Sequence, residues 1–137
     1  MNVLVDTSIW SLALRRRQPS DDDPFVAEFK ELLGELQVAI IGPIRQEILS
    51  GIKEQPQFEK LRERLQAFTD LPLLQADYER AAEFFNRCRS QGVQGSNTDF
   101  LICAVAERYD LAIFTTDNDF LHFAQHIPIS LYTPSRS

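Results

Sequence analysis

The chain has 137 residues, 44% apolar and 25% charged, ordinary values for a soluble globular protein that can bury roughly 68% of its unfolded surface without a disulfide or metal staple. Lys and Arg number 14 against 20 Asp and Glu, a formal net charge of −6, which excludes attraction of nucleic acid by bulk charge: any such binding must be local and metal-assisted. The longest apolar run, Phe100 to Ala106, is far shorter than the ~20 residues of a membrane helix. Asp6 interrupts the first apolar segment and the basic Arg15-Arg16-Arg17 follows it, so no signal peptide is visible. Cys88 and Cys103 read as reduced thiols, which suits a cytoplasmic protein.

Asn2 to Asp6 carries Val3-Leu4-Val5 and predicts a buried strand, after which Thr7 or Ser8 caps a helix to about Leu14. A polar loop spans 18–24. Asp23 before Pro24 predicts a helix start, because proline at the first helical position loses no needed N–H and Asp can cap. That helix extends to about Leu36, with Phe25, Phe29, Leu32, Leu33 and Leu36 on one face. Val38 to Ile41 predicts a second strand, and Gly42-Pro43 turns into a helix that carries Glu47 and ends near Gly51. Gln57 to Phe68 predicts a helix striped by Phe58, Leu61, Leu65 and Phe68. Leu71 to Leu74 reads as a short strand, Ala76 to Arg89 as a helix, and 90–97 as a polar loop. The helix from Thr98 to Tyr109 is apolar nearly all round and is expected to be buried on every side. Ala112 to Thr115 predicts a strand, Asn118 to Ala124 a short helix, and Ile129 to Leu131 a last strand. No repeat or linker divides residues 1–137, so one domain is expected. Strands alternating with helices predict an α/β fold: right-handed crossovers and a parallel sheet covered on both faces.

Five acids stand where a globular protein does not casually place charge. Asp6 ends the first apolar run, and Asp117 follows Ala112-Ile113-Phe114 and two threonines. Asp99 precedes the stretch Phe100 to Ala106, Glu47 lies among Ile44, Ile48 and Leu49, and Asp119 follows Asp117. Carboxylates gathered at the edge of a core repel each other and lose hydration, and a cation is what lets them stay ionised together. Ligands of parallel sheets bind beyond the carboxyl ends of the strands, where Asp6 and Asp117 fall. The pattern therefore predicts a magnesium or manganese site and phosphate chemistry. Asp6, Asp99 and Asp117 are expected as direct or water-mediated ligands. Glu47 binds metal or orients the attacking water, and Asp119 completes the negative pocket. Thr7, Ser8 and Thr116 hydrogen-bond the carboxylates or waters. The competing reading makes single acids helix caps, Asp99 and Asp119 above all.

Four blocks carry a family resemblance: Val-Asp-Thr-Ser-Ile-Trp (5–10), Gln-Glu-Ile-Leu-Ser-Gly (46–51), Thr-Asp-Phe-Leu-Ile-Cys-Ala-Val-Ala (98–106) and Thr-Thr-Asp-Asn-Asp-Phe (115–120). In this order and at these separations the chain resembles a PIN domain, most nearly the VapC-like toxins of bacterial toxin–antitoxin pairs. The resemblance implies a three-layer α/β/α sandwich and a magnesium- or manganese-dependent endoribonuclease. It also implies a homodimer, neutralised by a small VapB-like antitoxin whose tail occupies the active-site groove. The family's acids carry over onto Asp6, Glu47, Asp99 and Asp117, with Asp119 as the next acid and Ser8 as the polar residue two after the first Asp. Cys103 departs from the alanine more usual in its block.

Other features read more plainly. Arg15-Arg16-Arg17 suits a helix C-terminus, or alternatively an RNA rim or a dock for an acidic partner. Arg45, Arg87 and Arg89 are weighed as RNA contacts against a solvated surface role. His122 and His126 have zinc-like spacing but no companion ligands. Cys103, Trp10 and Phe120 read as core, and Asp21-Asp22-Asp23 as a solvated loop with one cap. Rival functions are a DNA or other phosphodiester nuclease of the same fold, a phosphatase, a receiver-like signalling module and a non-catalytic PIN scaffold. A haloacid-dehalogenase-like phosphatase wants Asp-x-Asp where this chain has Asp6-Thr7-Ser8. A receiver wants a paired acid there and a further Asp ending a middle strand, and a scaffold would have lost some of the acids.

Overall fold

The computed structural model describes residues 3–15 and 23–134. Arg16, Arg17, the loop 18–22 and with it Asp21 and Asp22 lie outside the described residues. Among those described, β1 (Val3–Val5), β2 (Val38–Ala39), β3 (Ala112–Phe114) and β4 (Ser130–Leu131) form a 4-stranded sheet in the order β2-β1-β3-β4. Every pairing is parallel, with Val3 opposite both Val38 and Ala112, Val5 opposite Phe114, and Ala112 opposite Ser130. All of β1 and the end of β3 are buried, as strands covered on both faces should be. The architecture is the three-layer α/β/α sandwich expected.

Chain order fixes the site. From β1 the chain crosses over to β2 on one side, while β3 continues to β4 on the other. The strand order therefore reverses at β1 and β3, which run parallel, and the crevice beyond their carboxyl ends is where such sheets bind ligands.

The helices follow the sequence closely, with local corrections. The first, α1 (Thr7–Trp10), has Asp6 and not Thr7 or Ser8 at its N-cap position, and it runs on into a π-helical turn, Ser11–Arg15. Trp10 is buried at its end, donates Nε1–H to the Val5 carbonyl at 3.1 Å, and packs edge-on against Phe29 and Phe68. In α2 (Pro24–Gly34) the Asp23 side chain accepts the N–H groups of Phe25 and Val26, the cap its position predicts. Leu36 is not on the buried face: it is 85% exposed with φ 58°. The helix stops short of it because the N–H of Leu36 bonds the Leu33 carbonyl and that of Gln37 bonds the Leu32 carbonyl, the paired bonds of a left-handed C-terminal turn.

Past β2, α3 (Gly42–Leu49) carries Glu47, and α4 (Gln55–Leu65) follows. The strand expected at Leu71–Leu74 is absent. Only an isolated bridge joins Ile40 to Asp70, with one bond from the Leu71 N–H to the Ile40 carbonyl. Pro72 then has no N–H to continue a ladder.

The pair α5 (Gln75–Ser90) and α6 (Asn97–Tyr109) pack on each other. Asp77 of α5 takes two bonds from Arg108 at 2.7 and 2.8 Å, and Arg80 pairs with Glu107 at 2.8 and 2.9 Å. Phe100 to Ala106 are all buried, as the all-round apolar pattern predicts. Cys88 and Cys103 are both fully buried free thiols. The last helix, α7 (Asp119–Phe123), ends before His126.

Candidate active site

Asp6 stands one residue past β1 with its own N–H on the Phe114 carbonyl at 2.9 Å, so the β1–β3 pairing carries directly into the site. At the N-cap of α1 its carboxylate makes no capping bond. Instead Oδ2 accepts the hydroxyls of Ser8 at 2.8 Å and Thr115 at 2.7 Å. The residue is 6% exposed, and burying a carboxylate this deeply is costly unless such donors compensate.

Asp99 lies in the first turn of α6. The Asp99 N–H bonds Ser96 Oγ at 3.0 Å and the Ser96 N–H bonds Asp99 Oδ2 at 3.1 Å, a reciprocal capping box. The helix-cap reading of Asp99 is thus correct as far as one of its oxygens goes. Its carboxyl is nonetheless pushed above the usual range, first by burial and further by the charges of Asp6 and Asp117, against the opposing bonds to Ser96. That influence places Asp99, Asp6 and Asp117 in one electrostatic neighbourhood.

Asp117 follows β3 in the loop that leads to α7. Its N–H bonds Thr115 Oγ1 at 2.9 Å, and its Oδ1 accepts the Asp119 N–H at 2.9 Å. Glu47 reaches in from α3 and accepts the Thr7 hydroxyl at 2.6 Å on Oε1.

These four acids meet in one open cavity of about 570 Å³, lined by Asp6, Thr7, Ser8, Pro43, Gln46, Glu47, Ser50, Thr98, Asp99 and Asp117. Asp119 and Thr116 are not among the lining residues. Asp119 is exposed and touches the site through its backbone N–H, and Thr116 through an N–H bond to Ser8 Oγ at 3.1 Å. Sequence reasoning missed Thr115, Thr98, Gln46 and Ser50. Thr115 matters through the β1–β3 register that brings it beside Asp6, which residue type alone does not reveal.

The donor chemistry of the cavity suits a hard divalent cation. Its carboxylates and hydroxyls are all oxygen ligands, and no Lys or Arg is among the described lining residues. Among the described residues no three His, Cys, Asp or Glu side chains stand close enough to grip one ion between them. A cation here would keep several waters, as magnesium does when one or two carboxylates hold it.

The basic residues weighed as RNA contacts separate. Arg45 is committed to the fold: it bonds Asp70 at 3.0 Å and the carbonyls of Leu65 and Phe68 at 2.9 and 2.6 Å. Arg87 and Arg89 are exposed at the end of α5.

A family model described as PIN domain matches residues 3–125. No curated sequence is similar enough to count as a match. Among solved structures, the chain is similar to FitAcB from Neisseria gonorrhoeae, with TM-score 0.76 and 22% identity over 96% of this chain and 97% of that one. VapBC2 from Rickettsia felis, bound to a DNA fragment from their promoter, gives TM-score 0.76 and 18% identity over 96% and 98%. A toxin–antitoxin complex from Klebsiella pneumoniae gives TM-score 0.67 and 24% identity over 99% and 100%.

Proposed function

This chain belongs to the PIN domain family, and we propose that it is a magnesium- or manganese-dependent endoribonuclease, a VapC-like toxin neutralised by a cognate VapB-like antitoxin. PIN domains are typically nucleases that use divalent metals. The observation that carries the reading is the convergence of Asp6, Glu47, Asp99 and Asp117, from four separate segments, on one cavity with no Lys or Arg among its described lining residues.

In this reading Asp6, Asp99 and Asp117 supply the oxygens that hold the ion, directly or through water. A bound divalent ion polarises the phosphodiester and lowers the pKa of a bound water. Ser8 and Thr115 fix the Asp6 carboxylate, and the Asp119 N–H fixes that of Asp117. Glu47 binds the ion or orients the attacking water, and no side chain becomes covalently attached to the RNA. Asp119 adds negative charge at the rim.

The antitoxin partner is supported by the structural neighbours, among them a toxin–antitoxin complex from Klebsiella pneumoniae. RNA and antitoxin would both be met in the cytoplasm, by a single domain over 1–137. A homodimer belongs to the same proposal. It is supported by Leu74 and Tyr78, 50% and 54% exposed, at the start of α5. Tyr78 lines an apolar groove with Ala81, Ala82, Phe85 and Leu101. Sedimentation of Tyr78→Glu beside the wild type tests the dimer: an unchanged mass would remove this face from the interface.

The function is tested by incubating purified protein with total bacterial RNA, with magnesium, manganese or chelator, beside Asp99→Asn. Discrete fragments that require both metal and Asp99 are expected. Folded, antitoxin-free protein that cuts nothing in any metal would return the chain to the binding-scaffold reading, and equal cutting of DNA would broaden the substrate class.

A further inference from the structure

We propose that Thr7 is the positioning residue for Glu47, and that the cavity has its fourth acid only through this contact. The inference rests on the nuclease reading above. The other three acids are placed by the backbone: Asp6 one residue past β1, Asp117 in the loop after β3, Asp99 in the first turn of α6. Glu47 is different. It sits near the end of α3 on an exposed position, between turns that bury Ile44 and Ile48. A glutamate on such a face has several freely rotating bonds, and fixing it costs side-chain entropy. Turning it toward Asp6, Asp99 and Asp117 also brings like charges together. A donor must offset both costs, and Thr7 Oγ1, at 2.6 Å from Oε1, is that donor.

The sequence of α1 makes the contact rigid. Thr7 is the first residue of that helix, which packs against α3, and both Thr7 and Glu47 line the cavity. Its β-branch restricts the first side-chain rotation. In Asp6-Thr7-Ser8, consecutive residues thus serve different carboxylates: Ser8 turns back to Asp6, while Thr7 reaches across 40 positions to α3.

The test compares wild type, Thr7→Val, Thr7→Ser, Glu47→Ala and the Thr7→Val/Glu47→Ala double variant on a short RNA with a mapped cleavage site. Manganese binding is followed by electron paramagnetic resonance, and folding by thermal melting. Valine keeps the shape and removes the donor. Loss of a partner that orients an active-site ligand typically costs about 10- to 100-fold, so Thr7→Val is expected to lower kcat by about that factor with KM nearly unchanged. Serine should restore most of the rate. In the Glu47→Ala background Thr7→Val should cost nothing more, and it should weaken manganese binding no further than Glu47→Ala does alone. Full activity of a folded Thr7→Val, or the same fold loss with and without Glu47, would overturn the inference while leaving the nuclease intact. Wild-type protein that cuts no RNA overturns the nuclease reading and this inference with it.

Discussion

Thr115 donates its hydroxyl to Asp6 Oδ2 at 2.7 Å although 109 positions separate them. The same Oγ1 accepts the Asp117 N–H at 2.9 Å. One threonine thereby ties the acid that follows β1 to the acid that follows β3, at the place where the strand order reverses. Ser8 repeats the device one step out, donating to Asp6 and accepting the Thr116 N–H. With both hydroxyl protons directed at Asp6, the 3.2 Å contact between Ser8 and Thr115 is a close approach of two acceptors.

Replacing Thr115 by valine keeps the shape and removes the donor. Cleavage should fall about 10- to 100-fold, as for other partners that orient metal-binding side chains. Stability should drop by about 1.5–3 kcal/mol, the usual worth of a hydrogen bond to a charged group. Thr115→Ser should recover most of both. Cleavage assays with urea titrations of the two variants decide it, and a fully active Thr115→Val would show that Ser8 alone holds Asp6.

Metal should stabilise the protein through Asp99. Its folded-state carboxyl is pushed up by burial and by Asp6 and Asp117, so the folded chain binds a proton more readily than the unfolded chain. Stability is then lost as pH rises from the unfolded value through the raised folded value, and at neutral pH the ionised carboxylate is a cost that a cation relieves. At a hundred times Kd a bound ion contributes about 2.7 kcal/mol. The melting temperature should therefore rise by several degrees with manganese and return with chelator. Asp99→Asn should melt at or above the wild type in chelator, cut far more slowly, and respond little to metal. A wild-type melting curve indifferent to millimolar manganese and magnesium would contradict the site.

Most of the fold, and the four acids that line the candidate site, were legible because each left a break in a pattern. Asp6 and Asp117 interrupt apolar runs at strand ends, and parallel-sheet geometry then delivers them to one edge. Asp99 opens a helix that is otherwise apolar. Other features depend on geometry that residue types do not encode. Thr115 matters through its register with Asp6, and its hydroxyl looks like any strand-end threonine. Gln46, Ser50 and Thr98 are uncharged polar residues on helices, which read as ordinary surface. Leu36 fits the apolar period of α2, yet the carbonyls of Leu32 and Leu33 are taken by a left-handed turn that points it to solvent. Arg45 looked free because nothing in its neighbourhood along the chain reveals Asp70 and the end of α4.

The α5–α6 clamp should make the protein acid-sensitive. The Arg108 guanidinium holds the nearly buried Asp77 carboxyl below its ordinary 3.8, helped by the Leu74 N–H and opposed by burial. A lowered folded value means stability that is fully present above the unfolded value and is lost as pH falls through the folded one. Arg108 is 32% exposed on its side chain, so solvent can partly replace the lost partner. Asp77→Asn should cost about 2 kcal/mol at pH 7. The gap to wild type should close below pH ~3.9, the unfolded value. Urea denaturation at neutral and acidic pH measures it, and a gap that stays constant across that range would mean the charge of Asp77 contributes nothing.

Gly95 is required by an aromatic cluster and not by its own backbone angles. A methyl group there would lie 2.5 Å from Phe123 Cζ and 3.0 Å from Phe100 Cε2. Neither ring can swing aside: Phe123 is fully buried and packs on Phe100 and Phe120 at centroid distances of 4.7 and 5.1 Å. Gly95→Ala should destabilise the protein by about 1–3 kcal/mol, the usual cost of overpacking. It should also slow cleavage, because the displaced chain includes Ser96, whose bonds hold Asp99. Shortening the obstructing ring separates this cause from a general loss of stability. Phe123→Leu alone removes packing and should also destabilise, but in that background Gly95→Ala should cost less than it does in the wild type, because the methyl group then has space. Strictly additive losses in urea denaturation would mean that the ring of Phe123 is not what excludes a side chain at position 95.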